Sequence, residues 1–448
     1  MRARLALLLG CTAILAFLTI HHLAGLNGPA YWRWEWRDIP AWRLYPAMLF
    51  GLAPLFFAQV LEDKKRCSPW ICLTLVGASS LALQLIAVGV QTEPPDLRAN
   101  IVYNVSNPIV TSYFTDAAKI SSVTDFLHAF PFRISSLNLH SQTKPPGTIL
   151  YYLPFIKIWG YTSTAALVAG LATAVLSIVS VFAVYLFLRT TASTKAAFYG
   201  ASYFAVCPGF IVFAPKLDQL HPILACALCG CWIKALDDKR LRYALGFALV
   251  LMITCFVSYN LLVLGIFLLL YSLLWLGEDP RADAPKLFGY TVAALALFIA
   301  GYGVFWILTG FNAVATFRAA IANQTKLALI FDRPYPETIP FDLADFALGT
   351  GWISFLIVAF FIARQLTATR KANGALAFTV ISLVQFVTVA ATGLLAAETA
   401  RVWLFMAPLL MIPVGAELAY WRLPGRMAAY ACLSLLTAVI TQNMTFIR

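Results

Sequence analysis

The chain has 448 residues, 61% of them hydrophobic and 12% charged, with a formal net charge of +12. That balance excludes a water-soluble enzyme with a polar surface on every side. Many uncharged apolar runs of about 20 residues could each cross a ~30 Å hydrocarbon core, so the composition predicts an all-α, polytopic helical membrane protein. The basic excess does not mark a nucleic-acid binder, because Lys and Arg are scattered through short loops, as the positive-inside rule places them.

The first apolar run, Leu5 to Leu26, follows a basic Met-Arg-Ala-Arg start. It is too long for a signal-peptide core and has no clear small-residue cleavage site, so it reads as a retained first helix. Thirteen spans are expected, at 5–26, 45–61, 70–90, 162–188, 196–214, 220–236, 242–258, 260–277, 286–309, 346–365, 374–396, 402–420 and 427–445. With the N-terminus inside, the inner loops are EDKKR (62–66), RTTASTK (189–195), DDKRLR (237–242), EDPRADAPK (278–286), RQLTATRKAN (364–373) and WRLPGR (421–426). Together with Arg2, Arg4 and Lys234 they hold 18 of the 32 Lys and Arg, which favours an N-in, C-out orientation. The count requires 145–160, PPGTILYYLPFIKIWG, to lie on the outer leaflet as an interfacial helix; Pro154, Lys157 and its Tyr/Trp content suit that place.

The outer face then carries most of the polar chemistry. All five histidines (His21, His22, His128, His140, His221) fall at or beyond outer helix ends. In the long loop from Gln91 to Tyr161, residues 102–130 pattern as short amphipathic surface helices that Pro131 stops. A carboxylate on such a helix meets water-borne and lipid-borne reactants together. The stretch HSQTKPPGTILYY (140–152) places a histidine, a lysine and two prolines ahead of an aromatic run.

These features occur in an order that resembles the GT-C glycosyltransferases of the protein O-mannosyltransferase and lipid A aminoarabinose transferase type. Thr143-Lys144-Pro145-Pro146-Gly147 resembles their KP/HPP element, RTTASTK their basic inner turn, Lys216-Leu217-Asp218 their Leu-Asp turn, and Tyr113 in TSYFTDAAKI the tyrosine of their acidic helix. The resemblance covers roughly 70–240 and rests on order and spacing more than on any one motif. It implies a catalytic module at 70–240 with its outer loop at 91–161, preceded by two helices and the WRWEWRD loop at 1–69. The C-terminal helices and a second outer loop, 310–345, occupy 241–448. It also implies inverting transfer of a sugar from a polyprenyl-phosphate donor to a glycan, lipid or protein acceptor.

One departure bears on the base. The families place an acidic residue just before the tyrosine, where this chain has Asn107-Pro108-Ile109-Val110. Asp116, three residues after Tyr113, is the first candidate; Asp96, Asp125 and Glu93 are alternatives, as are Glu35 and Asp38 in the first loop. Such a base accepts the acceptor's proton while a cation stabilises the leaving phosphate. Lys144 is one candidate cation. Arg401 is another, three residues after Glu398 in GLLAAETARVWLF, a spacing that lets the acid orient the arginine at the mouth of a span. Tyr113, His140 and His221 are candidate substrate contacts. Asp218 is a second catalytic candidate, to orient the loop or to hold a divalent cation (Mg or Mn); no cofactor is fixed by the residues.

Cys226, Cys229 and Cys231 fall in an apolar span and read as packing residues rather than a zinc site. YWRWEWRD (31–38) suits an interfacial aromatic belt or a sugar-stacking lip. Sequons begin at Asn104, Asn323 and Asn443, relevant only in a host that glycosylates there. The compact loops and the Ala/Leu content point to a bacterial inner membrane. A transporter or glycolipid flippase is the rival reading, against which stands the near absence of charge within the spans.

Overall fold

The computed structural model describes residues 2–23, 35–37, 43–92, 94–277, 279–330, 335–367 and 374–445. Among these, nine helices are long and apolar enough to cross a membrane: Arg2–Ile20, Leu44–Asp63, Pro69–Gly89, Ser163–Thr191, Leu217–Asp237, Tyr259–Leu276, Pro280–Thr309, Gly374–Thr392 and Leu423–Asn443. A tenth span forms if Thr338–Thr350 and Ile353–Thr367, bent by 91° at their junction, count as one. The protein is a multi-pass helical membrane protein.

The apolar runs that depart from the expected thirteen are broken or short. The run 196–214 is two helices, Thr194–Phe204 and Pro208–Ile211, because Pro208 can start a helix but cannot continue one. The run 402–420 is three pieces, Thr399–Val402, Leu404–Met406 and Ala407–Leu418. The run 242–258 is the 17-residue helix Leu241–Val257. Backbone carbonyls released by a break in apolar surroundings need new donors. Around the break at 205–212, Ser80 Oγ donates to Ala205 O (2.7 Å), Gln219 Nε2 to Phe210 O (2.6 Å) and Gln91 Nε2 to Val212 O (3.4 Å).

The chain folds as two compact units. The first comprises Met1–Asn100, Thr173–Ile223 and Pro334–Arg448; the second comprises Ile101–Ala172 and Leu224–Arg333. In the first unit the two ends of the chain meet. Arg4 pairs with Glu417, which is fully buried and also accepts from Arg364 Nε (2.8 Å) and Trp421 Nε1 (3.0 Å). Arg426 Nη2 lies 2.6 Å from Asp63 Oδ1, Arg37 Nη2 donates to Thr441 O (2.8 Å), and the two-residue strand Glu35–Trp36 pairs antiparallel with Met444–Thr445. The rest of the WRWEWRD stretch, with Asp38, lies outside the described residues.

In the second unit the long segment after Ile101 is a series of short helices: Tyr113–Ala117, Val123–Arg133, Ile134–Ser136 and Leu139–Thr143, then Gly147–Trp159. At 13 residues the last is about 20 Å long, shorter than a hydrocarbon core is thick. Pro131 does not stop its helix as expected. The helix runs to Arg133, since a proline so near the C-terminal end removes a single internal hydrogen bond before the 3-10 turn takes over. Helix Pro280–Thr309 buries only Asp283 and Ala294 and is apolar elsewhere along most of its length, the pattern of a helix facing lipid. Asn104, Asn323 and Asn443 are all buried in the fold, and Asn323 is held by Ser135 (2.9 Å) and Gln142 O (2.9 Å).

Candidate functional site

In the first unit the Leu-Asp turn meets the ExxR segment. Lys216 is extended, and Asp218 lies in the 3-10 turn Leu217–Leu220 that opens into helix His221–Asp237. His221 Nδ1 is 3.6 Å from Asp218 Oδ1, and Arg401 Nε is 4.0 Å from Asp218 Oδ2. Arg401 also forms an ion pair with Glu398. The Arg401 side chain is 13% exposed and that of Glu398 58%, so the acid faces out and the base faces in. The expected Glu398–Arg401 pairing is present, and Asp218 joins it from 183 positions earlier in the chain.

Three contributors to this cluster are not evident from sequence. Lys216, seen above only as part of the Leu-Asp turn, is a buried lysine in an arginine's field. Burial, and secondarily Arg401, push its pKa from an ordinary 10.5 down to about 7, against the pull of Glu398 and Asp218. The other two are Asp342 and Asp345. They lie three residues apart, and so on one face of helix Thr338–Thr350. Trp403 anchors the segment from below, fully buried, with Nε1 on Leu395 O (3.0 Å) and its ring 5.5 Å from that of Phe346.

The lysine gives a signed expectation. An unfolded lysine keeps its proton up to about pH 10.5 and the folded one releases it near 7, so between those values the unfolded chain binds more protons and stability rises with pH. Below about 7 the cost of the buried charge is fully present. Lys216→Met should therefore raise the stability at pH 6 by an amount on the order of a few kcal/mol, read as a higher Tm, and the gain should shrink toward pH 10. An equal gain at both pH values would contradict the buried-charge account.

Close backbone approach fixes the segment's floor. A Cβ on Gly349 would lie 2.6 Å from Ala400 O and 2.7 Å from Ala400 Cα, atoms that cannot swing aside. Gly349→Ala should cost about 1–3 kcal/mol, read as a lower Tm of the purified protein.

The second unit holds the remaining candidates. Asp116 is buried, and both carboxylate oxygens are engaged: Oδ1 with Lys119 Nζ (2.9 Å) and Asn138 Nδ2 (2.8 Å), Oδ2 with Asn138 N (3.0 Å). Tyr113 starts the same helix, half-buried. His140 Nε2 is 2.7 Å from Ile109 O, and its backbone N–H donates to Ser112 Oγ (3.2 Å). Asp116 and Ser112 thus fasten the turn that leads to Lys144. That residue is half-buried and extended, as a residue before proline must be. Gly147 closes the turn where a Cβ would strike Phe256 O at 2.4 Å. Asp125 is exposed in the first turn of Val123–Arg133.

Asp96 belongs to the first unit and is exposed; its Oδ1 caps Ala99 N (2.9 Å) at the head of helix Leu97–Ser106. Glu93 lies outside the described residues, as does the side chain of Glu35. Among the described residues no three His, Cys, Asp or Glu side chains gather as a metal site, and Asp218 faces an arginine, so the residues present do not fit the divalent cation that the turn suggested.

This architecture matches a solved one. ArnT from Cupriavidus metallidurans, bound to undecaprenyl phosphate, superimposes with a TM-score of 0.51 over 83% of this chain and 77% of that one, at 10% identity. The chain shares the fold of that protein. The oligosaccharyltransferase of Archaeoglobus fulgidus, in complex with zinc and sulfate, overlaps 75% of this chain and 52% of that one at 13% identity, with a TM-score of 0.29. No family model and no curated protein matches the sequence.

Proposed function

We propose that the protein is an integral-membrane, inverting glycosyltransferase. It moves a sugar from a polyprenyl-phosphate donor to a cell-envelope acceptor on the outer side of a bacterial inner membrane. The observation that carries this reading is the gathering of Arg401 and Lys216 with Asp218 and Glu398 in one unit of a GT-C fold. Arg401 and Lys216 can both donate to an anionic phosphate, whose own charge would keep the lysine protonated beside Asp218 and Glu398. ArnT, similar in fold, was solved with undecaprenyl phosphate, which supports the choice of donor.

In the reaction the acceptor hydroxyl attacks the sugar's anomeric carbon from the face opposite the phosphate. The bond from that carbon to the phosphate oxygen breaks, and polyprenyl phosphate leaves. Arg401, oriented by Glu398 and Asp218, holds the leaving phosphate bidentately. Lys216 recovers its proton as the anion offsets its burial. His221 steadies Asp218. The acceptor's proton passes to a carboxylate, for which Asp96 is our choice. It is exposed, shares the unit of Arg401, and follows a segment whose Gln91 side chain reaches Val212, four residues before Lys216. Asp116, with both oxygens occupied, serves instead to position the turn of Lys144. For Lys144 we expect a charge role of its own: Lys144→Arg tolerated better than Lys144→Ala in donor KM.

Detergent-purified protein should release polyprenyl phosphate from at least one member of a panel of polyprenyl-phosphate sugars supplied with envelope acceptors. Failure of every donor to bind or turn over would reject the reading.

A further inference from the structure

Asp342 and Asp345 take no part in the chemistry above, yet both are buried, at 0% and 1% exposure. Burying carboxylates in an apolar bundle is costly unless they satisfy other buried groups. Here the groups lie in one short segment. Asp342 Oδ1 accepts from Ala397 N (2.7 Å), and Asp345 Oδ2 accepts from Ala400 N (3.0 Å) and stands 3.3 Å from Thr399 Oγ1, which donates to Asp342 O at 2.5 Å. Between these grips, Ala397 (φ 67°) and Glu398 (φ 53°) are consecutive non-glycine residues in the left-handed region. Nothing in their own chemistry favours that conformation, so the surroundings must impose it. Glu398 is the last residue before helix Thr399–Val402, which carries Arg401.

We propose that Asp342 and Asp345 are positioning residues for Arg401. They hold the left-handed bow at 397–398 that sets Glu398 and Arg401 to one side and keeps the guanidinium against Asp218. The consequence for affinity rests on the reading of Arg401 as the donor-phosphate cation; the consequence for the arginine's placement does not.

Two measurements separate the two. The first is the affinity of the purified protein for undecaprenyl phosphate in detergent micelles. Asp345→Ala and Thr399→Val should each weaken it tenfold or more with the acceptor KM unchanged. Asp345→Asn, whose amide oxygen can still accept from Ala400 N, should recover most of the loss. Asp345→Ala added to Arg401→Ala should weaken binding no further, because the clamp then has nothing to position. The second is the rate at which phenylglyoxal modifies Arg401, followed by peptide mass spectrometry without ligand. It should rise in Asp345→Ala and Thr399→Val and stay slow in Asp345→Asn. Unchanged modification in folded Thr399→Val and Asp345→Ala, or affinity losses that multiply with that of Arg401→Ala, would overturn the positioning role. Unchanged affinity in Arg401→Ala alone would instead remove the phosphate reading, and the modification rates would still decide the role of the two aspartates. Should Asp345→Ala not fold, Thr399→Val carries both measurements.

Discussion

Arg401→Lys should lose donor affinity nearly as completely as Arg401→Ala, by roughly tenfold to a hundredfold, the scale of one or two charge-assisted hydrogen bonds. The arginine is held from two directions, by Glu398 at its tip and by Asp218 near Nε at 4.0 Å. A planar fork fixed along two edges can offer its remaining N–H groups to phosphate in one defined orientation. Lysine keeps the charge but not the fork, and its ammonium would be drawn to whichever carboxylate is nearer. Isotope-labelled undecaprenyl phosphate and a filter-binding titration suffice to measure the effect. If Arg401 were only anchoring a helix end among lipid headgroups, the lysine variant would bind as wild type does.

The carboxylates yield a second large effect with opposite signatures at two positions. Asp96→Asn should lower turnover by ~10²-fold or more, the usual contribution of a positioned general base, while donor affinity and Tm stay near wild type. Asp116→Asn should do the reverse. The substitution puts an NH2 group where one oxygen now faces a donor, Lys119 Nζ, Asn138 Nδ2 or Asn138 N. It should lower the Tm by an amount corresponding to about 1–3 kcal/mol, with a modest fall in rate. Thermal unfolding and single-turnover kinetics on both variants decide the matter. A rate collapse in Asp116→Asn with an unchanged Tm would return the base to that residue.

Helical class, the short helices within 102–130 and the Glu398–Arg401 pair were legible because each depends on neighbours a few residues apart. Apolar runs announce spans, and an acid three residues before an arginine announces an ion pair, although Glu398 stands in the left-handed region just ahead of the helix. What sequence could not convey were meetings across long separations. Asp116 reads as a solvent-facing acid on an amphipathic helix until Asn138, 22 residues on, is seen to occupy both of its oxygens. Lys216 reads as one more loop lysine until the fold seals it. Asp342 and Asp345 sit in PFDLADFALG, where their i,i+3 spacing was visible but the loop they grip, some 55 residues later, was not. The runs 196–214 and 402–420 passed as simple spans because hydropathy is blind to breaks. Pro208 and Pro408, each in the first turn of a helix, were the signals available.

The Arg4–Glu417 pair joins residues 413 positions apart, and Arg426–Asp63 and Arg37–Thr441 span nearly as far. The partners of Arg4, Arg37 and Asp63 are therefore made only with the last stretch of this sequence, although Leu44–Asp63 already meets Pro69–Gly89 through Leu55 N and Ser79 Oγ. The second unit, contained within Ile101–Arg333, has all its segments much earlier. During synthesis the opening helices remain loosely held guests of the bilayer or of an insertion factor, with their basic and acidic ends unmatched. Truncation before residue 417 would leave Arg4 without its partner permanently, and membrane quality-control proteases should clear such a product.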